Sequence, residues 1–123
     1  MKKLRLLLVD DEEELICTLA DRLKFRGFKA DAVLNCRDAI KKAEKKQYDV
    51  VVIDIKMPGI SGIELMKILL HMQPNLKVIL ITGHCSIEES EEAITNGAFD
   101  CLLKPVKIDH LIEKIKTSVG IVE

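Results

Sequence analysis

The stretch VVIDIKMPG, residues 51–59, joins the signature of a buried strand to an aspartate and a turn. The four residues that precede Asp54, Val50 to Ile53, are all apolar, and Pro58-Gly59 follows as a turn signal. A carboxylate inside an apolar core is strongly destabilising unless it is paired or bound to a cation. Asp54 therefore lies either at an exposed end of the strand or beside groups that compensate its charge.

Length, charge and cysteine spacing narrow the class of protein. A chain of 123 residues suits one domain, and its net charge of −1 gives no electrostatic case for direct binding to nucleic acid or membrane surfaces. The apolar run Leu6–Val9 meets five consecutive acids, unlike a secretory signal, and no run approaches the roughly 20 residues of a membrane span. We therefore expect a cytoplasmic protein. Its cysteines have no CxxC spacing and are expected to be thiols packed in the interior: Cys17, Cys36, Cys85 and Cys101.

Short apolar runs alternate with helix-periodic segments along the chain. Runs at 4–9, 28–33, 49–54, 77–82 and 100–104 predict five strands, of which the central ones are buried on both faces, as in a parallel sheet. Between them, Ser61 and Ser86 are each followed three residues later by Glu, which predicts helix starts, and Asn96-Gly97 predicts a left-handed helix end. The alternation predicts an α/β fold with a doubly wound, five-stranded parallel sheet and five helices. We expect a single domain over 1–123, with no output domain in this chain.

Residues that can carry chemistry follow the ends of four predicted strands. Asp10 and Asp11 come after the first strand, Asp54 ends the third, Thr82 ends the fourth and Lys104 ends the fifth. In an open parallel α/β sheet, these ends meet at one edge, where binding sites form. We therefore expect the five residues to share a cleft, into which the side chain of Asp54 emerges.

The expected cleft has the composition of a phosphoryl-transfer site. Neighbouring carboxylates repel one another, and an all-oxygen site without His or Cys favours Mg²⁺ or Mn²⁺ over zinc. Thr82 offers a hydroxyl and Lys104 an ammonium to phosphoryl oxygens, and a carboxylate can act as the nucleophile. Asp54, on the central strand, is the candidate acceptor of the phosphoryl group.

Each of these residues also has a local explanation. Asp11 with Glu14 could form a capping box at the start of a helix. Thr82 could simply end a strand, and Lys104 could be an ordinary surface lysine. Taken singly, these local roles are the simpler ones, but their coincidence at one edge favours a shared site.

Five short motifs, taken together, are typical of a known family. They are VDDE (9–12), VVIDIKMPGISG (51–62), LITG (80–83), NGAFD (96–100) and LKP (103–105). In this order, across essentially the whole chain, they resemble the receiver domain of two-component response regulators. The resemblance implies a flavodoxin-like sheet with the strand order 2-1-3-4-5.

The resemblance also implies a role for each residue of the site. Asp54 would be the phosphoacceptor. The ligands of Mg²⁺ would be Asp11 directly, Asp10 largely through water, Asp54, and the backbone carbonyl of Lys56. Thr82 and Lys104 would contact the phosphoryl group, and the bond between Lys104 and Pro105 would be cis.

By the same resemblance, the chain would be a signalling switch and not an enzyme with an independent substrate. It would take phosphate from a sensor histidine kinase, a phosphotransfer protein or acetyl phosphate. The structural change on phosphorylation would reach the surface formed by the fourth helix, the fifth strand and the fifth helix. This surface would serve as a docking or homodimer interface. Cys101 stands where the family commonly has an aromatic residue that follows the threonine, so the usual coupling is in doubt; Phe99 could replace it only in part.

Three other functions fit the sequence less well. A flavodoxin-like electron carrier would need a phosphate-binding loop where the chain has DDEEE (10–14), and its flavin would need aromatic partners that are scarce here. A phosphatase with an aspartate nucleophile would resemble DxDxT, but Asp54 is followed by Ile55-Lys56. A pseudo-receiver that binds partners without phosphorylation is favoured only by Cys101.

Overall fold

The structure, a computed structural model, describes residues 3–84 and 86–121, so Cys85 lies outside the described residues. Within them, five strands alternate with five helices. The strands are β1 (Arg5–Val9), β2 (Lys29–Val33), β3 (Val50–Asp54), β4 (Lys77–Thr82) and β5 (Asp100–Leu103). The helices are α1 (Glu13–Phe25), α2 (Cys36–Lys45), α3 (Gly62–Met72), α4 (Ile87–Thr95) and α5 (Ile108–Ser118). The predicted alternation is confirmed, and each strand lies within one residue of its predicted bounds.

The strands form one parallel sheet in the order β2-β1-β3-β4-β5, which confirms the predicted topology. β3 lies in the centre, and all of its residues are buried. One apolar cluster packs α2, α3 and α4 against the sheet, and a second packs α1 and α5 against the opposite face. The sheet is therefore doubly wound, as the apolar runs predicted. None of the helices in the described part of the chain has the length and hydropathy needed to cross a membrane.

The predicted helix signals explain where α3 and α4 begin and where α4 ends. The hydroxyl of Ser61 accepts a hydrogen bond from the backbone N–H three residues later, and Ser86 does the same at the start of α4. Gly97 follows α4 with a φ of +115°, a left-handed conformation that glycine adopts without steric penalty. These local signals set the ends of the two helices that flank β4.

The cysteines are less buried than predicted. Cys17 is exposed, and Cys36 and Cys101 are partly buried. Cys17 is one position past the buried Ile16 on α1, which turns it away from the apolar stripe of the helix. Among the described residues these three cysteines form no disulfide bond, as expected.

Gly62 allows α3 to begin directly against the end of β3. A Cβ atom at this position would lie 2.5 Å from the backbone oxygen of Asp54 and 2.7 Å from Cα of Ile55. The backbone N–H of Gly62 also donates to the carbonyl of Ile55 at 2.8 Å. A larger residue would therefore push α3 away from the strand end that carries Asp54.

Gly62→Ala should lower the free energy of unfolding by about 2 kcal/mol, because the backbone contact must open to admit the methyl group. Gly83→Ala is the matched control, since a Cβ atom there would meet nothing within 4 Å. Urea denaturation followed by circular dichroism measures both variants. Equal stability of Gly62→Ala and wild type would show that this contact does not constrain the fold.

Candidate functional site

Three side chains meet at the carboxyl edge of the sheet, as the strand order requires. Asp10 directly follows β1, Asp54 ends β3 and Lys104 directly follows β5. Asp10 is completely buried, and Asp54 is only 4% exposed. The Nζ atom of Lys104 lies 2.9 Å from Oδ2 of Asp10 and 3.2 Å from Oδ2 of Asp54. One ammonium is therefore shared between two buried carboxylates.

The charge of Asp54 is compensated by neighbouring groups. Its Oδ1 accepts a hydrogen bond from the backbone N–H of Lys56 at 3.2 Å, and its Oδ2 accepts one from Lys104. The predicted polar surroundings are confirmed. The expectation that the side chain emerges into a cleft is wrong, because Asp54 is buried and these donors, more than solvent, stabilise its charge.

Glu12 belongs to the same group, a position that the sequence pattern does not predict. Its Oε1 lies 2.8 Å from Nζ of Lys104, and its backbone N–H donates to Oδ1 of Asp10 at 3.0 Å. Carboxylate oxygens of Asp10, Glu12 and Asp54 all lie within 4.8 Å of one another. The available signal is the place of Glu12 two residues after Asp10, where an aspartate side chain can accept a hydrogen bond from the backbone N–H two residues on.

Asp11 is placed differently from the other predicted ligands. It is exposed, and it is not a member of the carboxylate group found among the described residues. It does not cap α1 either: the N-cap residue is Glu12, which makes no side-chain cap bond, so the capping-box hypothesis for Asp11 and Glu14 is wrong. Lys56 lies in the loop after β3, where its N–H binds Asp54.

Thr82 is buried at the end of β4, and its hydroxyl is bound by the loop that follows. The hydroxyl donates to the carbonyl of His84 at 2.9 Å and accepts from the N–H of His84 at 3.3 Å. Thr82 therefore lies at the predicted edge, but its hydroxyl is engaged with backbone and not with Lys104.

The pKa of Asp54 and the pKa of Lys104 are both raised, although burial acts on them in opposite directions. Burial raises the pKa of Asp54, and the charge of Asp10 adds to this effect. The N–H of Lys56 and the charge of Lys104 oppose the shift without cancelling it. Burial alone would lower the pKa of Lys104, but its contacts with Glu12 and Asp10 outweigh burial and raise that pKa. Lys104 is therefore a fixed positive charge at neutral pH.

The donor atoms at this edge fit a hard divalent cation. Oδ2 of Asp10 accepts no hydrogen bond from the described residues, and its contact with Nζ of Lys104, at 2.9 Å, is an ion pair. A buried carboxylate oxygen with a free lone pair, beside two further carboxylates, is suited to Mg²⁺ or Mn²⁺. The predicted cofactor is therefore compatible with the residues present.

The segment around β5 contains Cys101, Phe99 and the bond between Lys104 and Pro105. Cys101 is partly buried and packs against the apolar cluster beneath α3 and α4. Phe99, just before β5, is exposed. The bond between Lys104 and Pro105 is cis, as the resemblance implies.

Comparison with known proteins gives the class to which this fold and site belong. The response regulator receiver domain matches residues 6–116. The DNA-binding transcriptional regulator NtrC of Proteus hauseri is 32% identical over 119 residues, which are 97% of this chain and 25% of that protein. The chain spans about a quarter of the length of the curated relatives that it matches first.

Solved structures agree with this match. A CheY-like receiver domain protein from Methanospirillum hungatei has a TM-score of 0.90 and 30% identity, covering 96% of this chain and 94% of that one. The beryllofluoride-activated NtrC4 receiver domain dimer has a TM-score of 0.88 and 33% identity, covering 94% of this chain and 95% of that one. Fold and site thus define a receiver domain. The chain belongs to the response regulator receiver family.

Lys104→Met should lower the free energy of unfolding at pH 7 by about 3 kcal/mol, because three neighbouring carboxylates lose their cation. Mg²⁺ should then stabilise the variant more than wild type, since an added cation replaces the lost one. Urea titrations with and without Mg²⁺ measure both effects.

The matched control is Lys67→Met, which removes an exposed ion pair with Glu64 and should change stability by less than about 0.5 kcal/mol. Equal stability of the two variants, or equal effects of Mg²⁺ on them, would contradict the stabilising role of Lys104.

Proposed function

We propose that this protein is a phosphorylation-controlled signalling switch, in which Asp54 accepts a phosphoryl group in a Mg²⁺-dependent reaction. The observation that carries the proposal is the ammonium of Lys104, 3.2 Å from Asp54, where incoming phosphoryl oxygens need positive charge. Membership of the receiver family supports the same chemistry. On this proposal the chain catalyses only changes in its own covalent state and is not an enzyme with an independent substrate.

In the proposed reaction, a carboxylate oxygen of Asp54 attacks the phosphorus of a phosphohistidine on a sensor histidine kinase or phosphotransfer protein. The O–P bond forms as the P–N bond breaks, and the electron pair stays on the imidazole nitrogen of the donor. Acetyl phosphate can supply the same group, with acetate as the leaving group. Lys104 neutralises the phosphoryl oxygens during this transfer.

The proposed magnesium ligands are Asp10, Asp11, Asp54 and the backbone carbonyl of Lys56. Asp10 and Asp54 already offer buried oxygens at this edge, and Glu12 adds a third carboxylate within reach. Magnesium, when bound, would add positive charge beside the phosphoryl oxygens. Manganese can serve in its place because it accepts the same oxygen ligands.

The proposed switch begins at Thr82. Its hydroxyl is held by the backbone of His84 and must leave those bonds to reach a phosphoryl group on Asp54. The loop after β4 would then lose its anchor and shift, together with α4. Cys101 is smaller than the aromatic residue that is common at its position, so we propose that the loop and α4 carry the change more than a side chain on β5 does.

A groove beside Lys104 supports docking of the phosphoryl donor. It has a volume of about 350 Å³ and lies between α1 and the segment after β5. Glu12 and Lys104 also line this groove, whose apolar lining includes Leu15, Leu19, Ile81, Pro105 and Val106. An amphipathic helix with a phosphohistidine at its polar margin fits such a groove.

The surface of α4, β5 and α5 is the proposed output interface. Ile87 is 79% exposed and Leu103 is 60% exposed, which is unusual for large apolar side chains. The related NtrC4 receiver forms a dimer when activated by beryllofluoride. We therefore propose that phosphorylation favours a homodimer through this surface. In a longer protein that contains a receiver, as the relatives do, the same surface would control the rest of the chain.

A second candidate is a pseudo-receiver that binds partners without phosphorylation, which Cys101 alone favours. In either case the proposed setting is the cytoplasm, with no direct binding of this domain to nucleic acid or membrane. The two candidates differ in one measurable property, the covalent state of Asp54.

Incubation with acetyl phosphate and Mg²⁺ should add one phosphoryl group to the protein, measured by intact mass spectrometry. Asp54→Asn should show no gain because the nucleophile is absent, and omission of Mg²⁺ should slow uptake at least about tenfold. Asp21→Asn, an exposed carboxylate on α1, is the matched control and should react as wild type does.

Two results would overturn this proposal. Phosphate uptake by Asp54→Asn at an unchanged rate and stoichiometry would show that the nucleophile is assigned wrongly. No uptake by folded wild-type protein, either from acetyl phosphate or from a panel of phosphorylated histidine kinases, would favour the pseudo-receiver.

Beryllofluoride should shift the protein from monomer toward dimer in sedimentation velocity experiments, because it occupies the place of a phosphoryl group. Leu103→Glu should weaken the dimer at least about tenfold by placing a charge in the interface. Phe25→Glu is the matched control, since Phe25 is 89% exposed on α1, outside the proposed surface. Equal dimerisation of both variants would exclude this interface.

A further inference from the structure

A cavity of about 480 Å³ opens at the amino-terminal edge of β1 and β2, at the opposite end of the sheet from Asp54. Its volume is in the range of sites for small molecules, about 300–1,000 Å³. Five cationic side chains from separate parts of the chain line it: Lys3, Arg5, Lys24, Lys29 and Lys46. The receiver chemistry at the other edge uses none of them.

The positive charge in this cavity is largely uncompensated. Asp31 is the single carboxylate among its described lining residues, and Nζ of Lys46 lies 3.3 Å from it. The hydroxyl of Tyr48 also donates to Asp31, at 2.6 Å. Among the described residues, no carboxylate forms an ion pair with the other four cations of the cavity.

The cavity also lies against the apolar core. Leu6, Phe28 and Tyr48 form part of its lining and are each buried in the fold, so the cationic side chains lie over an interior of low polarity. A low-dielectric interior concentrates the field of nearby charges and raises the local concentration of ions of opposite sign. These properties distinguish the cavity from a solvated lysine-rich helix face such as that of α2.

We propose that this cavity binds a small polyphosphate anion, either free inorganic polyphosphate or the triphosphate group of a nucleotide. Cations that converge from several directions suit a ligand with several negative charges on a short chain, more than a single carboxylate or phosphate. Lysine ammonium groups act as point charges toward phosphate, and the guanidinium of Arg5 can bind two phosphate oxygens at once. Asp31 limits the affinity, because it repels an anion and engages Lys46.

Isothermal titration calorimetry with sodium triphosphate, ATP and adenosine tests the proposal. The full chain is used in Mg²⁺-free buffer of low ionic strength, with Asp54→Asn as the background so that no phosphoryl transfer occurs. The double variant Lys29→Gln/Lys46→Gln should bind triphosphate at least about tenfold more weakly. The matched control is Lys41→Gln/Lys67→Gln, two exposed lysines on α2 and α3 outside the cavity, which should bind within about twofold of the background protein.

Asp31→Asn provides a change of opposite sign that loss of folding cannot produce. It removes the only negative charge of the described lining while keeping an acceptor for Tyr48, and should tighten triphosphate binding about threefold. Tighter binding of ATP than of triphosphate would identify a nucleotide as the ligand, and equal binding would assign the affinity to the polyphosphate group. The proposal is overturned if neither anion binds, if the two double variants behave alike, if Asp31→Asn fails to tighten binding, or if adenosine binds as well as ATP.

Discussion

The contact of one ammonium with three carboxylates is the interaction on which the carboxyl edge of the sheet depends. Nζ of Lys104 lies within 3.2 Å of oxygens from Asp10, Glu12 and Asp54. The topology forces these acids together, because β1 and β3 are adjacent parallel strands that end side by side. Without a cation their crowding would oppose folding. Lys104 therefore makes a concentrated acidic site compatible with a stable domain.

The same contact links stability to the chemistry proposed for the site. Because the pKa of Asp54 is raised, its ionised form weakens the fold as the pH rises from the usual carboxyl range through that raised value. Any positive charge added at this edge opposes the loss of stability that accompanies ionisation of Asp54. A bound divalent cation and Lys104 therefore share one electrostatic role. A phosphoryl group on Asp54 would compete with Asp10 and Glu12 for the ammonium, so modification would redistribute the ion pairs that hold the edge together.

The features that could be predicted from the sequence are those that depend on the local pattern of apolar residues and on the order of the strands. β4 has its predicted bounds, and the meeting of Asp54 with Lys104, 50 positions later, follows from a parallel sheet. The partners of individual side chains could not be predicted in the same way. The contact of Glu12 with Lys104 and the bonds of Thr82 to its own loop depend on rotamers selected by tertiary packing. The periodicity of apolar residues in the sequence predicts which residues lie at an edge of the sheet, but not the direction of their side chains.

Charge distribution is a second property that the sequence conceals. A net charge of −1 suggests an almost neutral protein, yet acids gather at the carboxyl edge of the sheet and five cations line a cavity at its amino edge. A parallel sheet permits this separation, because all strands begin at one edge and end at the other. Surface charges act over about 8 Å at physiological ionic strength, so each edge presents its own field. The net charge therefore argues only against binding of charged ligands to the surface as a whole. The two edges of one sheet can attract ligands of opposite sign.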